Sequence, residues 1–153
     1  MKKFIVALGL VVGMVSNLSA QVVKVNNECL NLDAKIIDGR TFVKLRQVSE
    51  ILNCEVQYDE AEKVVTVTKE EVSETIRNME LRYKIGDTIY EYDCEKAKEK
   101  GKNFSKKGGG RTMDVSPQII DGSTYLPIRY VADPLEFDVL MGENKEIILE
   151  KRV

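Results

Sequence analysis

Ile36-Ile37-Asp38-Gly39-Arg40-Thr41-Phe42-Val43-Lys44-Leu45-Arg46 returns later in the chain as Ile119-Ile120-Asp121-Gly122-Ser123-Thr124-Tyr125-Leu126-Pro127-Ile128-Arg129. Ile36–Val56 aligns with Ile119–Val139 without a gap, and nine of the 21 positions are identical. Weaker similarity carries the alignment from 27–67 against 110–150. An internal repeat of this kind organises the whole chain. Its signature is Asp38, Gly39, Thr41 and Arg46, matched by Asp121, Gly122, Thr124 and Arg129.

Each copy reads as strand, two-residue turn, strand. Asp-Gly suits a type I′ turn, because both central residues need positive φ and Gly adopts it freely. Leu45, Val48, Ile51 and Leu52 then fall three and four apart, the spacing of one helix face. Val56 and Tyr58, a polar turn over 59–63, and Val64–Val67 predict a second hairpin. Val23/Val25 and Leu30/Leu32 flank Asn26-Asn27 as a further hairpin. The second copy opens on an alternating strand, with Met79, Leu81, Tyr83 and Ile85 apolar and Glu80, Arg82 and Lys84 polar. Pro134 falls inside the second helix, so that helix is expected to shorten or break near Asp133. The fold class is therefore α+β: an antiparallel β-sheet wrapped on short helices, in two homologous repeat units. Residues 21–69 form the first unit, 70–78 a polar linker or frayed turn, and 79–153 the second.

The N-terminal segment 1–20 reads as an address. Lys2 and Lys3 precede a charge-free apolar run from Phe4 to Val15, followed by Ser16-Asn17-Leu18-Ser19-Ala20. That is the layout of a signal peptide, with cleavage expected between Ala20 and Gln21. The run is shorter than the roughly 20 residues of a spanning helix. No transmembrane segment is expected after its removal. Loss of Lys2 and Lys3 would take Lys+Arg from 23 to 21 against 25 Asp+Glu, a net charge of −4. A mildly acidic chain carries no overall field for nucleic acid.

The chain has no His and no Trp. Ser-His-Asp and Cys-His catalysis and His-ligated metal sites are thereby excluded. No catalytic residue, cofactor site or metal ligand is nominated. Arg46 and Arg129 start the two helices; they are read either as an anion or ligand contact or, in preference, as structural arginines paired with a carboxylate or turn carbonyl. Cys29, Cys54 and Cys94 are an odd count for an exported protein. Cys54 is expected buried, Cys29 outward, with a Cys29–Cys54 bridge conceivable, and Cys94 in a polar loop. The segment 93–110 replaces the tight turn of the first unit. It carries Lys96, Lys98, Lys100, Lys102, Lys106 and Lys107 and ends in Gly108-Gly109-Gly110. It is read either as a solvated flexible loop or as a basic finger for polyanions.

Strand–Asp-Gly–strand, Val43-Lys44-Leu45-Arg46, a helix, and a hairpin ending Val65-Thr66-Val67-Thr68 resemble the copper amine oxidase N-terminal domain-like family, also called stalk domains. The resemblance covers nearly all of residues 21–153. It departs at Lys44, where Pro is usual (Pro127 keeps it), at Tyr58 and Met141, where Trp is usual, and at Pro134. The resemblance implies a secreted, non-catalytic envelope module of a Gram-positive bacterium, extracellular or wall-associated. It implies no copper chemistry here, since the copper of the oxidases is held by His. The expected partner is a cell-wall polymer or another envelope protein. Three functions are carried forward: a binding or spacing module, a wall-polymer binder using the basic segment, and, ranked last, a carboxylate hydrolase.

Overall fold

The computed structural model describes residues 15–97 and 104–152. Residues 1–14 of the expected leader, and Lys98, Lys100 and Lys102, lie outside the described residues. Twelve strands are described: β1 (Val15–Val25), β2 (Glu28–Ile37), β3 (Arg40–Lys44), β4 (Glu55–Asp59), β5 (Val64–Glu70), β6 (Ile76–Lys84), β7 (Ile89–Ala97), β8 (Phe104–Thr112), β9 (Gln118–Ile120), β10 (Ser123–Pro127), β11 (Phe137–Met141) and β12 (Ile147–Lys151). Helix α1 (Leu45–Ile51) follows β3 and helix α2 (Arg129–Ala132) follows β10.

The strands form two sheets rather than one. The first has the order β11-β12-β1-β2-β3-β10-β9, the second β4-β5-β6-β7-β8. All described pairs are antiparallel except β1 with β12, which run parallel. That pair joins the two ends of the described chain, so no tight turn has to connect it. The turns behave as their residues dictate. Asp38 and Gly39 have φ of 50° and 79°, and Asp121 and Gly122 have 51° and 78°, the two positive values of a type I′ turn.

The two copies meet in the larger sheet where β3 pairs with β10. Val43 lies opposite Leu126, with Phe42 opposite Pro127 and Lys44 opposite Tyr125. Val43 and Leu126 are equivalent positions of the two copies, and the register is symmetric about them. Their alternation buries both faces. Val43 and Leu126 enter the main core, while Phe42 and Tyr125 form a second cluster with Ile37 behind the sheet. The main core draws on both sheets and on α1, α2 and the turn after it. The two units therefore share one interior.

Several local expectations change. The segment 70–78 is not a solvated linker: Glu70 ends β5, Ile76 begins β6, and Val72 and Ile76 are buried. The hydrophobic anchors at 72 and 76 draw the turn onto the core. The segment 93–110 is not a loop over its described part, because β7 and β8 pair from Ile89↔Thr112 to Ala97↔Phe104. The glycines explain the strand. A Cβ on Gly108 would overlap Asp93 Oδ1, and one on Gly109 would lie 3.2 Å from the Tyr92 ring. Their missing side chains make room for the larger ones opposite. Cys94 consequently sits buried in β7, and Cys29, Cys54 and Cys94 are all unpaired thiols. Burial pushes the Cys54 thiol up to about 11. Pro134 does end the second helix: α2 stops at Ala132 and the chain tightens into a 3-10 turn over Asp133–Leu135.

β1 runs through the expected cleavage point. Val15–Leu18 pairs with Ala34–Ile37, Gln21–Val25 with Glu28–Leu32, and the register shifts between Leu18 and Gln21. Residues 23–25 are also held by β12.

Helix α1 buries Leu45, Val48 and Ser49. Ser49 Oγ is fully enclosed and has no hydrogen-bond partner among the described residues. The equivalent position of the second copy, Ala132, is also fully buried. An unsatisfied buried hydroxyl costs about 1–3 kcal/mol. Ser49→Ala should therefore raise the thermal midpoint, adding about 1 kcal/mol of stability; a lower midpoint in a melting curve would count against this account.

Candidate functional site

β3 passes directly into α1 at Lys44, with no side-chain cap on the helix. The polar groups there are organised by Asp33 of β2. Lys44 Nζ lies 3.2 Å from Asp33 Oδ2. Gln47 Oε1 accepts the Asp33 backbone N–H at 2.6 Å, and Gln47 Nε2 donates to Asp33 Oδ2 at 3.1 Å. These bonds fix the start of α1 against the sheet.

A cleft of about 470 Å³ opens beside this corner. Arg46, Gln47 and Glu50 of α1 form one wall, Val56, Tyr58 and Val65 of β4 and β5 a second, and Ile119, Gly122, Ser123 and Thr124 a third. Tyr58 and Ile119 are 43% and 45% exposed. The volume lies within the roughly 300–1,000 Å³ of small-ligand pockets. The cleft unites signature residues of both copies, Arg46 of the first with Gly122 and Thr124 of the second. Asp38, Gly39, Thr41, Asp121 and Arg129 do not line it.

The arginines separate into two groups. Arg40, Arg77, Arg82, Arg111 and Arg152 each pair with at least one carboxylate. Arg46 and Arg129 are exposed, and their side chains form no hydrogen bond or ion pair among the described residues. This corrects the expectation of a paired structural Arg at each helix start. Arg46 instead lies in the cleft lining.

The second copy is furnished differently. Arg40 of the first copy is equivalent to Ser123, and Gln47 to Tyr130. Where Ser123 and Gln47 line the open cleft, Arg40 and Tyr130 clasp the Asp114 carboxylate: Arg40 Nη1 pairs with Oδ2, and the Tyr130 hydroxyl donates to Oδ1. Asp114 N–H returns a bond to Tyr130 Oη at 3.1 Å. The Tyr130 hydrogen bond, with the Arg40 charge behind it, holds the Asp114 carboxyl below the usual carboxylate range. A depressed folded-state value stabilises the fold above the unfolded value, and that stabilisation is lost as pH falls through the folded one. Denaturation midpoints should drop below about pH 4, and Asp114→Asn should flatten that part of the acid limb. An unchanged limb in the variant would rule the clasp out as its source.

The lysines of the basic segment are divided between two faces. Lys96 and Lys107 line a second cavity of about 310 Å³ with Arg111, Arg152, Asp133 and Glu136. Lys106 lies opposite Glu95 on the other face, beside Glu80 and Asp93. A strand sends successive side chains to opposite faces, which splits the expected comb. On that outer face Arg82 binds Glu80, Glu91 and Asp93.

A family model described as the copper amine oxidase N-terminal domain matches residues 24–150. The chain belongs to the copper amine oxidase N-terminal domain family. The family is a non-catalytic module. No curated protein and no solved structure matches the chain significantly. The chain lacks His, and among the described residues no three His, Cys, Asp or Glu come together to hold an ion. Among the same residues, no helix is long and apolar enough to cross a membrane.

The repeat identities mark Arg46, Gly122 and Thr124 without joining them in one site. Tyr58 stands out in the sequence only as a replacement for Trp. Asp33, Gln47 and Asp114 carry no sequence signal, because none belongs to the repeat identities.

Proposed function

We propose that this member of the copper amine oxidase N-terminal domain family is a secreted, non-catalytic cell-envelope module of two homologous stalk-like repeats. It acts by binding an envelope component or by spacing one from another. The observation that carries this reading is the family match over residues 24–150, nearly the whole described chain. The equivalent strands of the two copies, paired about Val43 and Leu126, support the two repeats. The leader pattern supports export, with processing between Ala20 and Gln21. The register shift after Leu18 supports it as well, since Gln21–Val25 keeps its own partners. The reading needs no copper and no other cofactor.

The test is co-sedimentation of the purified protein with Gram-positive cell walls at low and high salt, beside a mass measurement of the exported chain. Binding to walls and a first residue at Gln21 are expected. Hydrolysis of wall fragments by the purified protein would overturn the non-catalytic assignment.

A second reading makes the basic segment the contact for teichoic acid. Lys96 and Lys107 on one cavity favour it, beside Arg111 and Arg152, which pair with Asp133. Binding would then be salt-sensitive and fall sharply in Lys96→Glu/Lys107→Glu; wall binding unchanged in that variant would eliminate it.

A further inference from the structure

We infer that the cleft at Arg46 is a binding site for a saccharide carrying a carboxylate. The inference deepens the proposed binding function and rests on it. The first observation is the unspent guanidinium. Arg46 lies on the cleft wall without a carboxylate, whereas five other described arginines have one. A guanidinium presents a planar fork of donors that fits a carboxylate with two parallel hydrogen bonds.

The second observation is what the protein does at the equivalent place in the other copy. There Arg40 and Tyr130, the counterparts of Ser123 and Gln47, hold a carboxylate of the chain itself, Asp114. The counterpart of Asp114 in the first copy is Asn31, which lies within β2 opposite Val22. It brings no carboxylate and is not part of the cleft lining. One place is thus furnished with an internal anion; among the described residues the helix-start arginine has no carboxylate in either copy, and at Arg46 it stands beside an open volume.

The remaining walls describe the rest of the ligand. Tyr58 exposes a ring on which the apolar face of a pyranose can lie, and Ile119 continues that surface. Ser123, Thr124 and Gln47 supply donors and acceptors suited to sugar hydroxyls, and Glu50 supplies a charged acceptor. Glu50 also limits the charge. Lys44 is already engaged by Asp33, so the cleft offers Arg46 against Glu50. That balance favours one carboxylate on an otherwise hydroxylated ligand over a polyphosphate. Gln47, tied to Asp33, and Gly122, in its type I′ turn, give the cleft walls set before a ligand arrives.

The experiment is a titration of the purified, isotope-labelled protein with a glucuronate-containing tetrasaccharide, followed by amide chemical shifts. The controls are the same tetrasaccharide with its carboxyl groups reduced to alcohols, and a short acidic peptide. The expected shifts cluster at Arg46, Tyr58, Ser123 and Thr124. Arg46→Gln and the reduced sugar should each weaken binding roughly 10- to 100-fold, and Arg129→Gln should leave it unchanged. Arg46 is exposed and unpaired, so Arg46→Gln should melt with the parent, which makes loss of binding interpretable. Equal binding of the reduced sugar, unchanged binding in Arg46→Gln, or shifts confined to Lys96 and Lys107 would each overturn the site. Binding of the acidic peptide alone would overturn the saccharide assignment. Wall sedimentation separates the two levels. Wall binding indifferent to Arg46→Gln removes this site and leaves the envelope function, and tetrasaccharide binding without wall binding does the reverse.

Discussion

Tyr83→Ala lowers the unfolding free energy by about 3–5 kcal/mol, and Tyr83→Phe by about 1–3 kcal/mol. Tyr83 is fully buried in β6 and stacks on Tyr90 of β7 at 5.2 Å between centroids. Its hydroxyl donates to the Tyr130 carbonyl at 2.6 Å, tying the smaller sheet to α2. Removing the ring opens a large cavity in the shared core. Removing only the hydroxyl strands the Tyr130 carbonyl beneath the sheet. Burial drives the Tyr83 phenol well above its ordinary range, so the hydroxyl remains a donor across the usable pH range. Denaturant curves read by circular dichroism and by tyrosine fluorescence should coincide in the parent and in Tyr83→Phe. Two separated transitions, or a Tyr83→Phe variant as stable as the parent, would contradict a single core tied through this residue.

Leu126→Ala is the second large effect, expected at about 2–5 kcal/mol. Leu126 faces Val43 where β10 pairs with β3 in the seven-stranded sheet, and both are fully buried. Truncation leaves a cavity where four elements meet (β3, β10, α1 and α2), and the backbone pairing on either side prevents collapse. Met141→Ala, by contrast, should change stability by less than about 0.5 kcal/mol, because Met141 is 71% exposed at the edge of the same sheet. The contrast is informative because Met141 occupies a position where the family usually carries Trp. Equilibrium unfolding of both variants measures it; a Met141→Ala loss comparable to that of Leu126→Ala would show that the edge is covered in solution.

Much of the architecture is legible because local rules act at short range. The Asp-Gly turns, the Leu45–Leu52 helix face, the alternation from Met79 to Ile85 and the break at Pro134 all depend on neighbours within a few residues. The segment 93–110 reads as a loop because its composition, lysine and glycine, is that of solvated chain. Its strand depends on Tyr92 and Asp93 filling the space that Gly108 and Gly109 leave, a contact across the hairpin. Cys94 reads as a loop residue for the same reason, and its burial comes from the sheet that the glycines permit. The site is less legible than the fold. Arg46 is visible as a repeated residue, but its lack of a carboxylate is a fact about every other chain segment around it.

The sequence by itself determined the local elements, the exclusion of His-based chemistry and the family. These follow from side-chain period, turn chemistry and residue identity, which are properties of short segments. Only the tertiary structure decided that there are two sheets, that β1 meets β12 in parallel and that the two units share one interior. It alone joined Arg46 to Tyr58 and Ser123 across one cleft while giving Arg40 and Tyr130 a carboxylate from Asp114. Those outcomes depend on which distant surfaces bury one another, and that choice is made by the summed packing of the whole chain rather than by any stretch of it.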